Sequence, residues 1–263
     1  MATVRYVSST SGVKVRSTPA GTVVATLYAG NLMYELPNIN HENASLSGTN
    51  YEWAKVHYYL VGSTVSEGEG WVAIDFTEEI SRDNYPGKNN TFNSDSILNQ
   101  YQQLINAWYI YYYIKEYGWS DNAVFAMFGN MEAESTFNPG RCYYRNGALF
   151  AYGLTQWHEP AKLINWANER NLDYTDIDNQ IRRIIYEKEY DETKNTNDPI
   201  LQWDSSKFSP ELDFGQFATS SLPVTTLSDY FLWCYERPGN EESEKAARRQ
   251  NALKWSTILG YLT

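Results

Sequence analysis

The feature that most constrains this chain is a change of hydrophobic period across one polar stretch. From Asp83 to Asp95 the sequence carries Pro86, Gly87 and four Asn with almost nothing apolar. Such a composition cannot pack a core and reads as a linker. Before it, short segments alternate with a period of two: Val13 to Arg16, Thr22 to Leu27, Trp53 to Tyr59 and Gly70 to Ile74, punctuated by Pro19–Gly21, Ala29–Asn31 and a Gly/Ser/Glu turn. After it, apolar residues recur at helical spacing. A single sheet or a single bundle cannot satisfy both periods, so the chain is expected to be multi-domain. The expected layout is an all-β barrel or sandwich over residues 1–82, a linker over 83–96 and a mainly α domain over 97–263.

At 263 residues with 42% apolar content the chain can bury two cores. The formal charge of −11 is shared by both halves: residues 1–82 carry five Lys/Arg against eight Asp/Glu, the remainder 16 against 24. Phosphate backbones are bound by clustered cations, so no nucleic-acid partner is expected. No run of eighteen apolar residues and no leader-like N-terminus is seen, so neither a membrane span nor an export signal is expected. Cys142 and Cys234 are then expected as free thiols. The 22 Tyr and nine Trp are the compositional excess. They serve packing, and they are also the surfaces on which saccharides stack.

In the second half, helices are expected over residues 97–116, stopped by Gly118; from a Ser120 cap to about Glu134; and over 160–170, 177–190, 210–217, 227–237 and 241–258. The segment Asn130 to Pro139 holds the chemistry. At about 100° per residue, Val124, Met127, Phe128 and Met131 share an arc, with Glu134 on one rim and Glu132 about 200° away. Glu134 closes the helix just before the chain turns at Asn138–Pro139, so it can leave the helix for a cleft. A half-buried carboxyl there holds its proton toward neutral pH and can act as a general acid. Glu132 is expected to be solvated or ion-paired.

These residues carry two resemblances. VKVRSTP at 13–19, YAG at 28–30, YEWAKVHY at 51–58 and GWVA at 70–73 resemble the bacterial SH3-like domain, a small barrel that binds cell walls, often through the peptide stem. A long insert, Pro37 to Asn50, departs from that pattern. GNMEAESTFNPG at 129–140, AYGLTQW at 151–157 and the segment Phe231 to Gly239 resemble the phage tail lysozyme family, and share elements with goose-type lysozymes and lytic transglycosylases. That resemblance implies a lysozyme-like domain that cleaves the β-1,4 bond after N-acetylmuramic acid in peptidoglycan, with Glu134 as general acid. Tyr152, Gly153, Leu154, Gln156 and Trp157 are implied as the substrate-binding segment, with Gly153 allowing the backbone near the sugar and Gln156 offering donors and an acceptor. Ser135 would support the helix end, and Glu236 beside Arg237 is expected to be a structural ion pair. No cofactor and no metal are called for. The implied protein is an endolysin or virion-associated lysin, found in the host cytoplasm before lysis or in the virion, of a phage infecting a Gram-positive host.

Alternatives remain open on the same residues. Inverting hydrolysis needs a second carboxylate about 6.5–9.5 Å away, and no motif marks one. A lytic transglycosylase or glucosaminidase on the same scaffold is therefore an alternative. A peptidase would need His ligands or a Cys/His pair, for which only Cys142 and His158 are at hand. A non-catalytic wall-binding virion protein is the alternative of another class.

Overall fold

The computed structural model describes residues 3–61, 65–81, 94–192, 201–239 and 241–260. They divide into two compact units, the first holding the early strands and the second everything from residue 106 onward. The linker expected over 83–96 lies almost wholly outside the described residues.

The first unit is an antiparallel sheet. Its strands are β1 (Val4–Val7), β2 (Val13–Arg16), β3 (Val23–Leu27), β4 (Leu32–Glu35), β5 (Glu42–Leu46), β6 (Thr49–Val61), β7 (Val65–Ala73) and β8 (Thr77–Glu79). They run in the order β3-β2-β7-β6-β4-β1-β8, with β5 paired to β6. The pairing of β6 with β7 sets the faces: Ala54 opposes Val72, while Trp53 opposes Ala73. One face buries Val7, Val13, Val15, Leu27, Met33, Ala54, Val56 and Val72 in a single cluster drawn from six strands. The other carries Trp53, Trp71 and Ala73. A one-residue slip would exchange the two sets, so burial of both fixes the register.

The expected closed barrel is not what forms. The sheet curls around its core, but the end strands β3 and β8 do not pair with one another in the described residues. The reason is local. β8 is three residues long and ends in two exposed glutamates, and Val23 and Val24 of β3 are exposed. Short and charged edges resist pairing. The insert Pro37 to Asn50 is not a loop either. Ser47 and Gly48, at φ +54° and +86°, make a tight turn that pairs β5 with the start of β6.

The second unit contains α1 (Gln100–Lys115) from residue 106, α2 (Asp121–Ser135), α3 (Ala161–Asn168), α4 (Ile177–Glu192), α5 (Phe214–Thr219), α6 (Val224–Phe231) and α7 (Glu241–Leu259). Ser120 caps α2, its hydroxyl accepting from the Ala123 N–H at 3.2 Å. Rather than burying one arc, α2 is buried all round from Ala123 to Met131, as expected of a helix at the centre of a bundle. It packs against α6 and α7. Gly129 lets α7 come close, since a Cβ there would stand 2.4 Å from the Arg248 carbonyl oxygen. Asn130 uses its polar side chain inside this contact, donating to Ser228 O at 3.1 Å and accepting from Arg248 Nη1 at 3.2 Å. The aromatic run on α1 is packing: Trp108, Tyr109, Tyr111 and Tyr113 are buried, and the Tyr109 and Tyr111 hydroxyls donate to Asp178 and Asp121.

A three-stranded sheet interrupts the helices: β9 (Cys142–Arg145), β10 (Ala148–Tyr152) and β11 (Trp157–His158), with β10 central. Its first hairpin turns at Asn146–Gly147, both at positive φ. Cys142 and Cys234 are buried and not bridged.

Candidate active site

A cavity of about 590 Å³ opens where the C-terminus of α2, the three-stranded sheet and the end of α6 meet. Glu134, from the last turn of α2, lines it. The turn beyond Glu134 is unusual. Thr136 and Phe137 both take left-handed backbone, at φ +52° and +62°. For residues with a Cβ this costs about 1–2 kcal/mol each. The cost is offset by Phe137, fully buried edge-on to Phe128 and Trp255 with centroids at 5.2 and 4.8 Å. Such pairs contribute about 0.5–1.5 kcal/mol each beyond burial. The Thr136 N–H closes the helix on Glu132 O, and its hydroxyl oxygen accepts from the Leu98 N–H.

Glu134 is held from α7. Arg248 Nη2 donates to its Oε1 at 2.6 Å, and the same nitrogen bonds Glu244. About a fifth of the Glu134 side chain stays exposed, 21%, against 4% for Arg248. Burial raises the proton affinity of Glu134, Arg248 opposes it by charge and hydrogen bond, Glu244 adds to the rise and Arg141 subtracts. The net direction is upward. Its place at a helix C-terminus, the negative end of the dipole, works in the same sense. Glu132 takes the other fate expected of it, paired with Lys254 and accepting from Trp255 Nε1 at 2.8 Å.

The Gly-Leu-Thr-Gln segment is tied to the acid helix. Ser135 Oγ donates to Leu154 O at 2.6 Å, so its hydroxyl fastens the end of α2 to this segment. Of the residues expected to bind substrate, Gln156 lines the cavity, but its amide is partly spent. Its Nε2 donates to Arg141 O at 2.9 Å and to Gly153 O at 3.0 Å. Both donors are thus used on backbone, and the side-chain oxygen remains as the acceptor. Tyr152, Gly153, Leu154 and Trp157 are buried and do not line the cavity. Gly153 has a protein neighbour close to its Cα. At φ +84°, a Cβ there would meet Gln180 Oε1 at 2.6 Å. Gln180 needs that space, because it accepts from the Leu154 N–H at 2.9 Å and donates to Pro139 O at 2.7 Å, clamping both motif segments.

The remaining wall comes from residues that the motif reading passed over. Arg141, Tyr143, Phe150 and His158 line the cavity. Tyr143 and Phe150 meet edge-on at 5.9 Å, Phe150 and His158 at 4.4 Å. Arg141 is paired with Asp95 at 3.0 Å. The signal that would have found them is Asn146–Gly147, a strong hairpin dipeptide between aromatic runs. Glu236 also lines the cavity. It is not the ion-pair partner of Arg237, whose guanidinium reaches Asp204 at 3.9 Å. Cys142 is absent from the lining, and among the described residues no cluster of His, Cys, Asp and Glu is arranged to hold a metal.

This geometry can do acid chemistry on a polymer laid in an open groove: a carboxyl of raised proton affinity, an amide acceptor, cations and aromatic faces surround one volume. The phage tail lysozyme family matches residues 105–259, more than half of the chain and all of this site except Asp95. The chain is also 32% identical over 172 residues to Morphogenesis protein 1 of Bacillus phage B103, covering 64% of this chain and 44% of that protein. It therefore spans less than half the length of the curated relative it matches. On the extent of the family match, this chain belongs to the phage tail lysozyme family.

Proposed function

We propose that the protein is a peptidoglycan glycosidase that cleaves the β-1,4 bond between N-acetylmuramic acid and N-acetylglucosamine, with Glu134 as general acid. The observation that carries this reading is the position of Glu134: the last turn of a buried helix, lining a glycan-sized cavity with Gln156, its proton affinity raised by burial. The proton passes from the Glu134 carboxyl to the glycosidic oxygen as its bond to the anomeric carbon breaks. Water then supplies hydroxide to that carbon and a proton to the site, so Glu134 is restored. Tyr143 and Phe150 offer faces for sugar rings, and the Gln156 side-chain oxygen accepts from a hydroxyl or an acetamido N–H. The buried Tyr152, Gly153, Leu154 and Trp157 support this wall from behind.

The first unit is proposed as an SH3-like wall-binding module that holds the enzyme on peptidoglycan through the peptide stem. Its curled sheet around one core and the sequence motifs of β2, β6 and β7 support this, with domains at 1–82 and 97–263 joined by 83–96. A virion-associated lysin is favoured over an endolysin because the matched relative from Bacillus phage B103 carries the name of a morphogenesis protein. That name also supports a second reading, a wall-binding virion component without catalysis.

Replacing Glu134 by Gln and following turbidity loss of purified peptidoglycan tests the proposal. Clearing by the wild type and its loss in Glu134→Gln are expected. Equal clearing by the variant would remove Glu134 as the acid, and an inert wild type would favour the non-catalytic reading. Mass spectrometry of the products identifies the bond: a reducing muramic end for a lysozyme, a reducing glucosamine end for a glucosaminidase, a 1,6-anhydro end for a transglycosylase.

A further inference from the structure

A second cavity, of about 420 Å³, lies on the helical unit and shares no lining residue with the cleft. Its walls come from the turn after α1, the end of α3 and α4. The cleft holds three carboxyls, Asp95, Glu134 and Glu236, but no carboxyl lines this cavity. Two arginines do, in a chain of net charge −11. The Arg170 guanidinium lies 5.0 Å from the Trp166 ring and 4.8 Å from the Tyr186 ring, and its Nη1 donates to Trp166 O at 3.1 Å. Its ion contact among the described residues is Glu169 at 3.5 Å, a side chain 67% exposed, and such surface pairs contribute little. Arg182 Nε donates to the Tyr113 hydroxyl oxygen at 3.0 Å, while both its Nη groups make no hydrogen bond or ion pair among the described residues. Asp178, one turn back on α4, is engaged by the Tyr109 hydroxyl at 2.6 Å. The rest of the lining is Leu172, Ile185 and Tyr117, whose ring stacks on Tyr113 at 5.8 Å. Packing alone accounts for one arginine laid over two rings. It does not account for a second guanidinium, tied only to a neutral phenol, on the same cavity.

The lining selects a chemistry. Guanidinium forks match oxyanions, and apolar and aromatic side chains match methyl and methylene groups. A polyol phosphate would meet the cations and leave Leu172 and Ile185 against a polar chain. A neutral sugar ring would meet the aromatic faces and leave two cations unused. We propose that this cavity is a second binding site, which takes the carboxylate end of a peptide with small apolar side chains, the chemistry of the stem peptide of peptidoglycan. Arg182 and Arg170 receive the carboxylate, and Leu172, Ile185 and the rings receive the side chains. This rests on the proposed wall substrate for the source of the peptide, and on the lining alone for the chemistry. No bond is made or broken at the site. Its effect is a second hold on the wall within the catalytic unit, which raises the effective concentration of glycan at the cleft.

The test is a nitrogen-15 NMR titration of the full chain with three probes: N-acetyl-D-alanyl-D-alanine, the same peptide as its C-terminal amide, and glycerol 3-phosphate. The expected result is a saturable shift of the Trp166 indole N–H and Arg182 Nε–H signals by the acid. The amide should bind about tenfold or more weakly, the size of losing a charge-assisted hydrogen bond. Arg170→Gln and Arg182→Gln should weaken the acid by a similar factor, and Arg182→Lys, which keeps the charge and loses the fork, by less. Both arginines are exposed, so these variants should keep the fold, and the comparison of acid with amide needs no variant. No shift, or equal binding of acid and amide, overturns the inference. So does glycerol 3-phosphate binding as tightly as the acid, which would make this a general anion site. Glu134→Gln should bind the peptide as the wild type does. A wild type that binds the acid but leaves peptidoglycan intact would remove the proposed catalysis and keep this site, whereas wall clearing without any shift would remove this site alone.

Discussion

The two units hold glutamates in opposite electrostatic conditions. In the sheet, Glu35 sits between Arg5 and His41, and His41 bridges to Glu52 at 2.7 Å. Burial alone would raise Glu35, yet its hydrogen bonds and the charges of Arg5 and His41 carry it below the usual range. In the helical unit, Glu134 shares a single guanidinium with Glu244, Glu236 has no partner among the described residues, and both Glu134 and Glu236 rise. The same side chain thus has its proton affinity lowered in one unit and raised in the other. Burial is the first cause of the rise at Glu134 and Glu236; it acts on Glu35 too, where Arg5 and His41 together outweigh it.

Breaking the acid side of this contrast gives the largest effect. Glu134→Gln should lower the rate of wall clearing by about 10²–10⁴-fold, the range for losing a general acid, while the thermal midpoint stays within a few degrees. Arg248→Met comes next. It leaves Glu134, Glu244 and the Asn130 oxygen without their cation, so a loss of about 3–5 kcal/mol in chemical denaturation is expected. In the surviving fold the alkaline limb of activity should move to higher pH, because the cation that favours ionised Glu134 is gone. A limb that moved down would contradict the balance drawn between Arg248 and burial.

Ser135→Ala sharpens the comparison by loosening the acid helix without touching a charge. The Leu154 carbonyl oxygen loses its 2.6 Å partner in a buried place. About 1–2 kcal/mol should be lost, together with a lower kcat at unchanged pH profile.

The smallest effect belongs to the sheet. His41 is raised by its hydrogen bonds to Glu35 and Glu52, so its contribution is fully present below pH 6.5 and is lost as pH rises through its raised value. Glu35 is lowered, so its contribution is present above pH 4.5 and is lost as pH falls through its lowered value. His41→Gln should therefore cost about 0.5–1 kcal/mol near pH 5 to 6 and little at pH 9, read as the difference in thermal midpoint against pH. A constant difference across that range would show that His41 acts by packing alone.

The change of period at residue 83 was legible because it depends only on local alternation. So were the bounds of α2, from the Ser120 cap to the turn after Glu134, and the pairing fate of Glu132. The Asn146–Gly147 hairpin was legible too and was missed, because the motif reading treated the stretch as spacer between two signatures. With it went Tyr143, Phe150 and His158. The open edge of the sheet was harder to foresee, since closure depends on whether two distant strands are long and uncharged enough to pair.

By itself, the sequence determined two units of different period, a carboxyl at the end of an apolar helix, and a caps-and-turns grammar that ends α2 at about Glu134. These are properties of residues within a few positions of one another. Only the tertiary structure decided what each carboxyl does with its proton. Arg248 lies 114 positions from Glu134 and reaches it because Gly129 lets two helices touch. Glu236 lines the same cleft from the end of the π-helical turn Leu232–Glu236. Proton affinity is set by the charges and solvent within a few ångströms, and in this chain those neighbours are assembled from four separate segments.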